Sequence, residues 1–211
     1  MPRPAHRFPA RLAVVASLIL AACSGEPATA EPPAQAGPDS GRREVALFAG
    51  GCFWSVEANF ERMPGVVSAV SGFAGGRVAN PTYDQVVRGG TGHLEAVQVT
   101  FDPARISYRQ LVDRFWRTID PTDPDGQFCD QGATYATAVF ATAAQRPIAE
   151  ASRAAAVAVI GERRFVTPVR DAARFWPAEA YHQDFARLNP VRYGGYSRFC
   201  GREAHLRAVW G

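Results

Sequence analysis

The apolar and polar positions of residues 44–211 fall into two alternating registers. Val45 to Ala49 form a short apolar run that ends at Gly50-Gly51, the pattern of a buried strand running into a turn. Residues Cys52 to Arg62 follow with helical spacing and are stopped by Pro64-Gly65. Val66 to Phe73 and Leu94 to Phe101 predict two more strands, the second with the clearer alternation. Ser107 and Gln110 form a capping box ahead of Leu111, Val112, Phe115, Trp116 and Ile119, which repeat as one helical face. Thr134 to Phe140 and Phe165 to Val169 predict strands. The alanine-rich run Ile148 to Ile160 predicts a helix, with Pro147 moving its start beyond a Thr142 cap.

Strands alternating with helices imply an α+β fold, a compact two-layer α/β domain with a small mixed sheet covered by helices. A loop from Ala74 to His93, carrying Gly75-Gly76, Asn80-Pro81 and Gly89-Gly90, is longer than simple connections require, and such loops are more often functional than filler. After Phe175 the chain turns aromatic, glycine-rich and irregular, as a segment wrapping over a site would be.

The amino terminus follows different rules. Arg3, Arg7 and Arg11 precede the apolar stretch Leu12 to Ala22, whose 11 residues fall short of the roughly 20 that a membrane span needs. Residues 1–22 therefore predict a secretory signal. Leu20-Ala21-Ala22-Cys23 resembles a bacterial lipoprotein processing box, with Cys23 as the lipidated first residue of the mature chain. A protein tethered by lipid on the periplasmic side of the envelope is the expectation, and Ser24 favours the outer membrane. Residues 23–43 then hold the lipidated cysteine and a flexible tether rich in Pro, Ala and Gly, ahead of a single domain at 44–211.

Losing the signal removes three arginines and no acid, leaving 20 basic against 20 acidic side chains. Such a balance gives no reason to expect nucleic acid as a partner. All 23 basic residues are arginine, which excludes Schiff-base chemistry and a phosphate-binding lysine. Contact with a membrane is expected only through the lipid, and a monomer is the expected state.

Two side chains carry candidate chemistry. Cys52 follows two glycines at the start of a predicted helix, where unpaired N–H groups and the helix dipole stabilise a thiolate. A lowered pKa and a nucleophilic role are the resulting expectation; a small buried structural thiol is the alternative. Phe53 and Trp54 add apolar surface beside the sulfur. Glu95 shares its strand face with Val97, Val99 and Phe101, so an acid stands on the apolar side. Burial there raises a carboxyl pKa towards the range of a general acid, whereas a strand-end carboxylate paired with arginine is the plain reading.

Seven motifs in order resemble the A-type peptide methionine sulfoxide reductases. They are Gly50-Gly51-Cys52-Phe53-Trp54, Gly65-Val66-Val67, Gly72-Phe73-Ala74-Gly75-Gly76, Asn80-Pro81-Thr82-Tyr83, Gly92-His93-Leu94-Glu95-Ala96-Val97, Asp120-Pro121-Thr122 and Tyr181-His182-Gln183-Asp184. The resemblance implies a ferredoxin-like core and a reductase of the S epimer of methionine sulfoxide, free or in proteins. It makes Cys52 the nucleophile, Glu95 the proton donor, and Tyr83 and Tyr135 the groups that hold the sulfoxide oxygen. Phe53 and Trp54 would take the S-methyl group, Asp130 would order the tyrosines, and His182 would either orient the nearby loop or substrate backbone or serve as a hydrogen-bonded structural histidine. The products would be methionine and a Cys52 sulfenic acid.

A second thiol must then resolve the sulfenic acid. The resemblance and the neighbouring glycines 194, 195 and 201 favour Cys200, through an intramolecular disulfide with Cys52. Cys129, beside Asp130, is either a secondary thiol or a core-filling one. Ser55 stands where some members carry another cysteine. An external dithiol of the thioredoxin type would recycle the enzyme, with no bound cofactor. The histidines lack metal-ligand spacing, so no metal is expected. Two other classes fit Cys52 and the aromatics: a Cys-His acyl-transfer hydrolase using His182, and a tethered, non-enzymatic methionine-binding module.

Overall fold

The computed structural model describes residues 41–211; the segment expected to be a signal, Cys23 and most of the expected tether lie outside the described residues. The chain runs β1 (Glu44–Gly50), α1 (Phe53–Glu61), β2 (Val66–Ala74), α2 (Tyr83–Val87), β3 (Leu94–Phe101) and α3 (Tyr108–Trp116). A small hairpin follows, β4 (Gly126–Gln127) with β5 (Asp130–Gln131), then β6 (Thr137–Ala141), α4 (Arg146–Ile160), β7 (Val169–Asp171) and β8 (Phe175–Pro177). The last three helices are α5 (Phe185–Leu188), α6 (Pro190–Phe199) and α7 (Arg202–Trp210).

Six strands form one mixed sheet in the order β7-β6-β1-β3-β2-β8, antiparallel except for the β6–β7 edge. The period of two predicted from sequence sorts the sheet's two faces. Ala46, Phe48, Val97, Val99 and Phe101 face a large core with α1 and α3, where Phe48, Phe60 and Phe115 pack ring on ring. Leu47, Ala49, Leu94, Ala96, Ala138 and Phe140 form a smaller cluster on the other face. The predicted mixed sheet covered by helices is thus the fold observed.

Local departures have local causes. Thr134 to Phe140 is not one strand, because a 3-10 turn at Ala133–Tyr135 precedes β6. The strand expected at Phe165 to Val169 begins only at Val169: Phe165 turns inward against Trp116, and Pro168 lacks an N–H for the ladder. Within the long 74–93 loop, Thr82 and Gln85 cap α2, and His93 ties the loop shut. His93 Nδ1 accepts from Gly76 N at 3.1 Å and Nε2 donates to Val78 O at 2.7 Å. The tail beyond Phe175 is more regular than its composition suggested, since α6 and α7 occupy most of 190–210. Gly194 and Gly195 lie inside α6 rather than in a free loop.

Candidate active site

Cys52 is the residue before the first turn of α1, and its carbonyl accepts from Ser55 N at 3.1 Å and Val56 N at 3.3 Å. Gly51 makes the turn from β1 with φ +77°, and a Cβ there would collide with the Gln127 side chain. That close approach seats the β4–β5 hairpin over the cysteine. Gln127 is itself fixed, accepting from Asp120 N at 2.8 Å and donating to Asp120 O at 2.7 Å.

The expected fall in the Cys52 pKa is overturned in this form of the protein. Burial pushes the thiol up to about 12, and the neighbouring Glu95 adds to the rise. Hydrogen bonds from Tyr196 and from the Trp54 backbone oppose it without prevailing. The helix start does favour the thiolate, but one amide cannot outweigh the loss of water around a side chain only 6% exposed.

Glu95 lies beside it on β3, at 2% exposure, opposite Phe73 of β2. Its Oε2 accepts from Phe53 N at 2.9 Å, which leaves Oε1 to carry a proton. Burial raises this carboxyl to about 8, with the Phe53 bond opposing and Asp130 adding to the rise. Glu95 is therefore protonated at neutral pH, where an ordinary glutamate, titrating near ~4.3, is not. An arginine-paired carboxylate is excluded by this environment.

Tyr83, at the start of α2, and Tyr135, at the end of the 3-10 turn, line the same cavity. Burial, then Glu95, raises both phenols, Tyr83 to about 12, so both remain O–H donors. Asp130 of β5 is raised by burial and accepts from the Tyr196 hydroxyl. Cys52, Phe53, Trp54, Tyr83, Glu95, Asp130, Tyr135 and Tyr196 together enclose a cavity of about 50 Å³. A larger cleft of about 670 Å³ runs behind the 131–136 segment, past Arg77 and Arg170, but holds none of these reactive groups. Chemistry places the site in the smaller one.

A strap from β8 to α5 closes the aromatic side. Trp54 stacks on Phe185 with centroids 3.8 Å apart and donates through Nε1 to His182 Nδ1 at 3.2 Å. His182 Nε2 then bears the ring hydrogen, yet it is buried without a partner, as is Glu179 Oε2. The other Glu179 oxygen accepts from Tyr83 N at 3.0 Å. The His182 ring sits 4.3 Å from Tyr83 and 5.0 Å from Phe53. His182 thus makes no hydrogen bond with Cys52, and the pairing a Cys-His hydrolase needs is not formed. The strap is pinned by Gln183, whose side chain bonds both Ser71 N and Ser71 O at 2.9 Å, while Ser71 Oγ donates to buried Glu57 at 3.1 Å.

The cysteines differ from expectation. Cys129, in the turn of the β4–β5 hairpin, is bonded to Cys200 at the end of α6, with Cα atoms 5.1 Å apart, and Cys52 is free. Cys129 is therefore no core-filling thiol, and the expected Cys52–Cys200 bond is absent from this form. Cys52 lies buried beneath Tyr196, whereas the hairpin turn meets the end of α6 directly. Among the described residues no three His, Cys, Asp or Glu side chains cluster as metal ligands would. Tyr196, Glu57 and Glu179 were not singled out from sequence. The available signal for Tyr196 was its place four residues before Cys200, one helical turn.

Comparison with known proteins accounts for this constellation. Residues 44–211 match the family model described as peptide methionine sulfoxide reductase. The chain is 52% identical over 169 residues to peptide methionine sulfoxide reductase MsrA 2 of Rhizobium meliloti, covering 80% of this chain and 84% of that protein. It is 48% identical over 179 residues to the MsrA 2 of Caulobacter vibrioides, covering 85% and 90%. Among solved structures it resembles reduced Mxr1 from Saccharomyces cerevisiae, with TM-score 0.66, 29% identity, and 72% and 89% of the two chains covered. Methionine sulfoxide reductase A of Corynebacterium diphtheriae superposes with TM-score 0.63 at 32% identity, covering 74% and 77%. A buried thiol, a protonated carboxyl and a disulfide pair around this sheet accord with a family of thiol oxidoreductases, and the chain belongs to the A-type peptide methionine sulfoxide reductase family.

Proposed function

We propose that this protein reduces the S epimer of methionine sulfoxide, in proteins or free, to methionine, with Cys52 as nucleophile and Glu95 as general acid. The observation that carries the reading is the convergence of Cys52, protonated Glu95, Tyr83 and Tyr135 on one small cavity. The sulfoxide oxygen is a poor leaving group until it gains a proton. Glu95 supplies that proton while the Tyr83 and Tyr135 hydroxyls donate to the same oxygen. As the sulfur becomes more electrophilic, the Cys52 thiol yields its own proton to the vacated carboxylate and its sulfur attacks. A bond forms between the Cys52 sulfur and the substrate sulfur, and the hydroxyl then passes to Cys52 as that sulfur–sulfur bond and the substrate's sulfur–oxygen bond break. One thiol and one sulfoxide become one sulfenic acid and one thioether. A thiol pKa near 12 in the resting site fits a nucleophile activated only when substrate is present.

Phe53 and Trp54 accept the S-methyl group, whose burial contributes about 0.8 kcal/mol. That modest term selects an epimer only because the oxygen is fixed at the same time by Glu95 and the tyrosines. The unpaired His182 Nε2–H and Glu179 Oε2 are a donor and an acceptor suited to the substrate main chain.

Recycling uses the remaining cysteines. Cys200, once free, attacks the Cys52 sulfenic sulfur and releases water; Cys129 then attacks Cys200 and returns Cys52 as a thiol. An external dithiol of the thioredoxin type reduces the Cys129–Cys200 bond that remains. This order is supported by the pairing of Cys129 with Cys200, and by Tyr196, one turn before Cys200, lining the same cavity as Cys52. The enzyme works on the periplasmic side of the envelope, held by lipid on Cys23, with the outer membrane favoured, and it repairs oxidised envelope proteins. Turnover of each separate epimer of a protected methionine sulfoxide with a dithiol tests the reading. Methionine should form from the S epimer alone, and turnover of the R epimer at a similar rate would sink it. If Cys52→Ser still binds but no longer reduces the sulfoxide, the non-enzymatic binding module is set aside.

A further inference from the structure

We infer that the Cys129–Cys200 disulfide is a redox lock on the substrate cavity: while it is closed, α6 holds the Tyr196 side chain over Cys52, and a dithiol must open it before the next sulfoxide can enter. This rests on the assignment of Cys52 as the nucleophile and adds to it a control over when that thiol is accessible.

Three observations carry the lock. The first is what fills the site. Tyr196 is a wall of the cavity it shares with Cys52 and donates a hydrogen bond to Asp130 on one side. The pocket left is about 50 Å³ and opens to solvent, and Tyr196 borders the approach to the buried Cys52 sulfur.

The second is what holds Tyr196 there. No residue of α6 is buried, its interior carries Gly194 and Gly195, and Val191 and Phe199 at its ends are 86% and 87% exposed. A ten-residue helix with two interior glycines and no buried face has little stability of its own, since isolated helices shorter than about 12–15 residues are marginal. Its position depends on attachments: Cys200 to Cys129 at its end, Tyr196 to Asp130 and edge-on to Trp54, Arg192 over the Phe185 ring, and Tyr193 to Ser55 Oγ at 3.3 Å. Only the first is covalent, and Cys200 N bonds back to Tyr196 O, so disulfide and tyrosine move as one turn.

The third is what anchors the other end. The hairpin turn that bears Cys129 is clamped by α7, with the Arg202 guanidinium 4.1 Å from the centre of the Phe128 ring and His205 edge-on to it. The next residue, Asp130, is the hydrogen-bond acceptor for Tyr196. One short hairpin therefore supplies both the covalent and the polar catch.

Opening is a two-electron exchange. A dithiol breaks the Cys129–Cys200 bond, its own sulfurs join, and two thiols are left on the protein. Cys200 is then free to resolve, and α6 is free to withdraw Tyr196. The lock has a chemical logic: a Cys52 sulfenic acid formed while Cys200 is tied to Cys129 would have no resolving thiol and would be exposed to further, irreversible oxidation.

The test compares two forms of the whole chain. One is fully reduced and then freed of reductant without air; the other has Cys129–Cys200 closed and Cys52 free, verified by peptide mapping. Each is mixed with excess N-acetyl-methionine-S-sulfoxide without reductant, and methionine per chain is counted. The reduced form should release one equivalent and stop as its disulfide closes. The closed form should release methionine at least tenfold more slowly and regain the burst with dithiothreitol. Tyr196→Ala, with the disulfide closed, should recover most of the lost rate. The lock is overturned if the closed form reacts as fast as the reduced one, or if the reduced form releases two equivalents. A closed Tyr196→Ala protein as slow as closed wild type removes Tyr196 from the device. Absence of methionine from the reduced form would instead contradict the Cys52 chemistry on which the lock rests.

Discussion

Glu95 and Phe53 are joined by a hydrogen bond 2.9 Å long, from the first helical amide of α1 to Oε2 of a carboxyl on β3. Phe53 directly follows Cys52, so this bond fixes the carboxyl relative to the thiol. The two groups lie 42 positions apart in the chain. The same geometry explains why neither group is charged at rest. Each is buried, and an ionised Glu95 would raise the Cys52 pKa further.

Glu95→Gln should leave binding nearly intact and slow the single-turnover reduction by roughly 10²- to 10⁴-fold, the range of a positioned general acid. In the wild type that rate should be flat below neutrality and fall as pH rises through about 8, where Glu95 loses its proton. A loss below threefold, or a rate that increases through that range, would exclude Glu95 as the acid.

The same shift has a consequence for stability. A carboxyl raised from 4.5 to about 8 binds more protons folded than unfolded, so its contribution weakens as pH rises across that window and is constant above it. Relative to wild type, Glu95→Gln should therefore gain in Tm steadily from pH 5 to about 8. Thermal melts across that interval provide the check, and a difference that does not change with pH would contradict the burial argument.

In the protein with Cys129–Cys200 closed and Cys52 free, the Cys52 thiolate, followed by its ultraviolet absorbance, should titrate with a midpoint well above the free value of about 8.5. The structure puts it up to about 12. A midpoint near neutrality would mean that the helix start, and not burial, governs this thiol.

Gly51→Ala should cost about 1–2 kcal/mol for the left-handed backbone alone, and more because a Cβ would displace Gln127 and with it the β4–β5 hairpin. Loss of Tm should accompany a larger loss of reduction rate. An active, equally stable variant would show that the hairpin does not depend on this contact.

How much of this was legible in the sequence depended on the range of each cause. Glu95 could be found because the period of two on β3 is local and puts the acid among Val97, Val99 and Phe101. Cys52 could be found because the glycine turn and helix start lie within a few residues of it. Its titration could not, since depth of burial is set by β3, β5 and α6, all remote in sequence. Tyr196 was hidden for a related reason: α6 buries no face, so it leaves no helical stripe to read. The Cys129–Cys200 bond, spanning 71 positions, exists only once the hairpin and α6 have docked.

The most direct test of the central claim is to react the Cys129→Ser/Cys200→Ser protein with one excess portion of S-epimer sulfoxide in the presence of a sulfenic-acid trap. Methionine and trapped cysteine are then counted, and the adduct is mapped. Close to one methionine per chain and an adduct on Cys52 are expected, with neither formed by Cys52→Ser. Methionine formed without modification of Cys52, or formed equally well by Cys52→Ser, would contradict that claim.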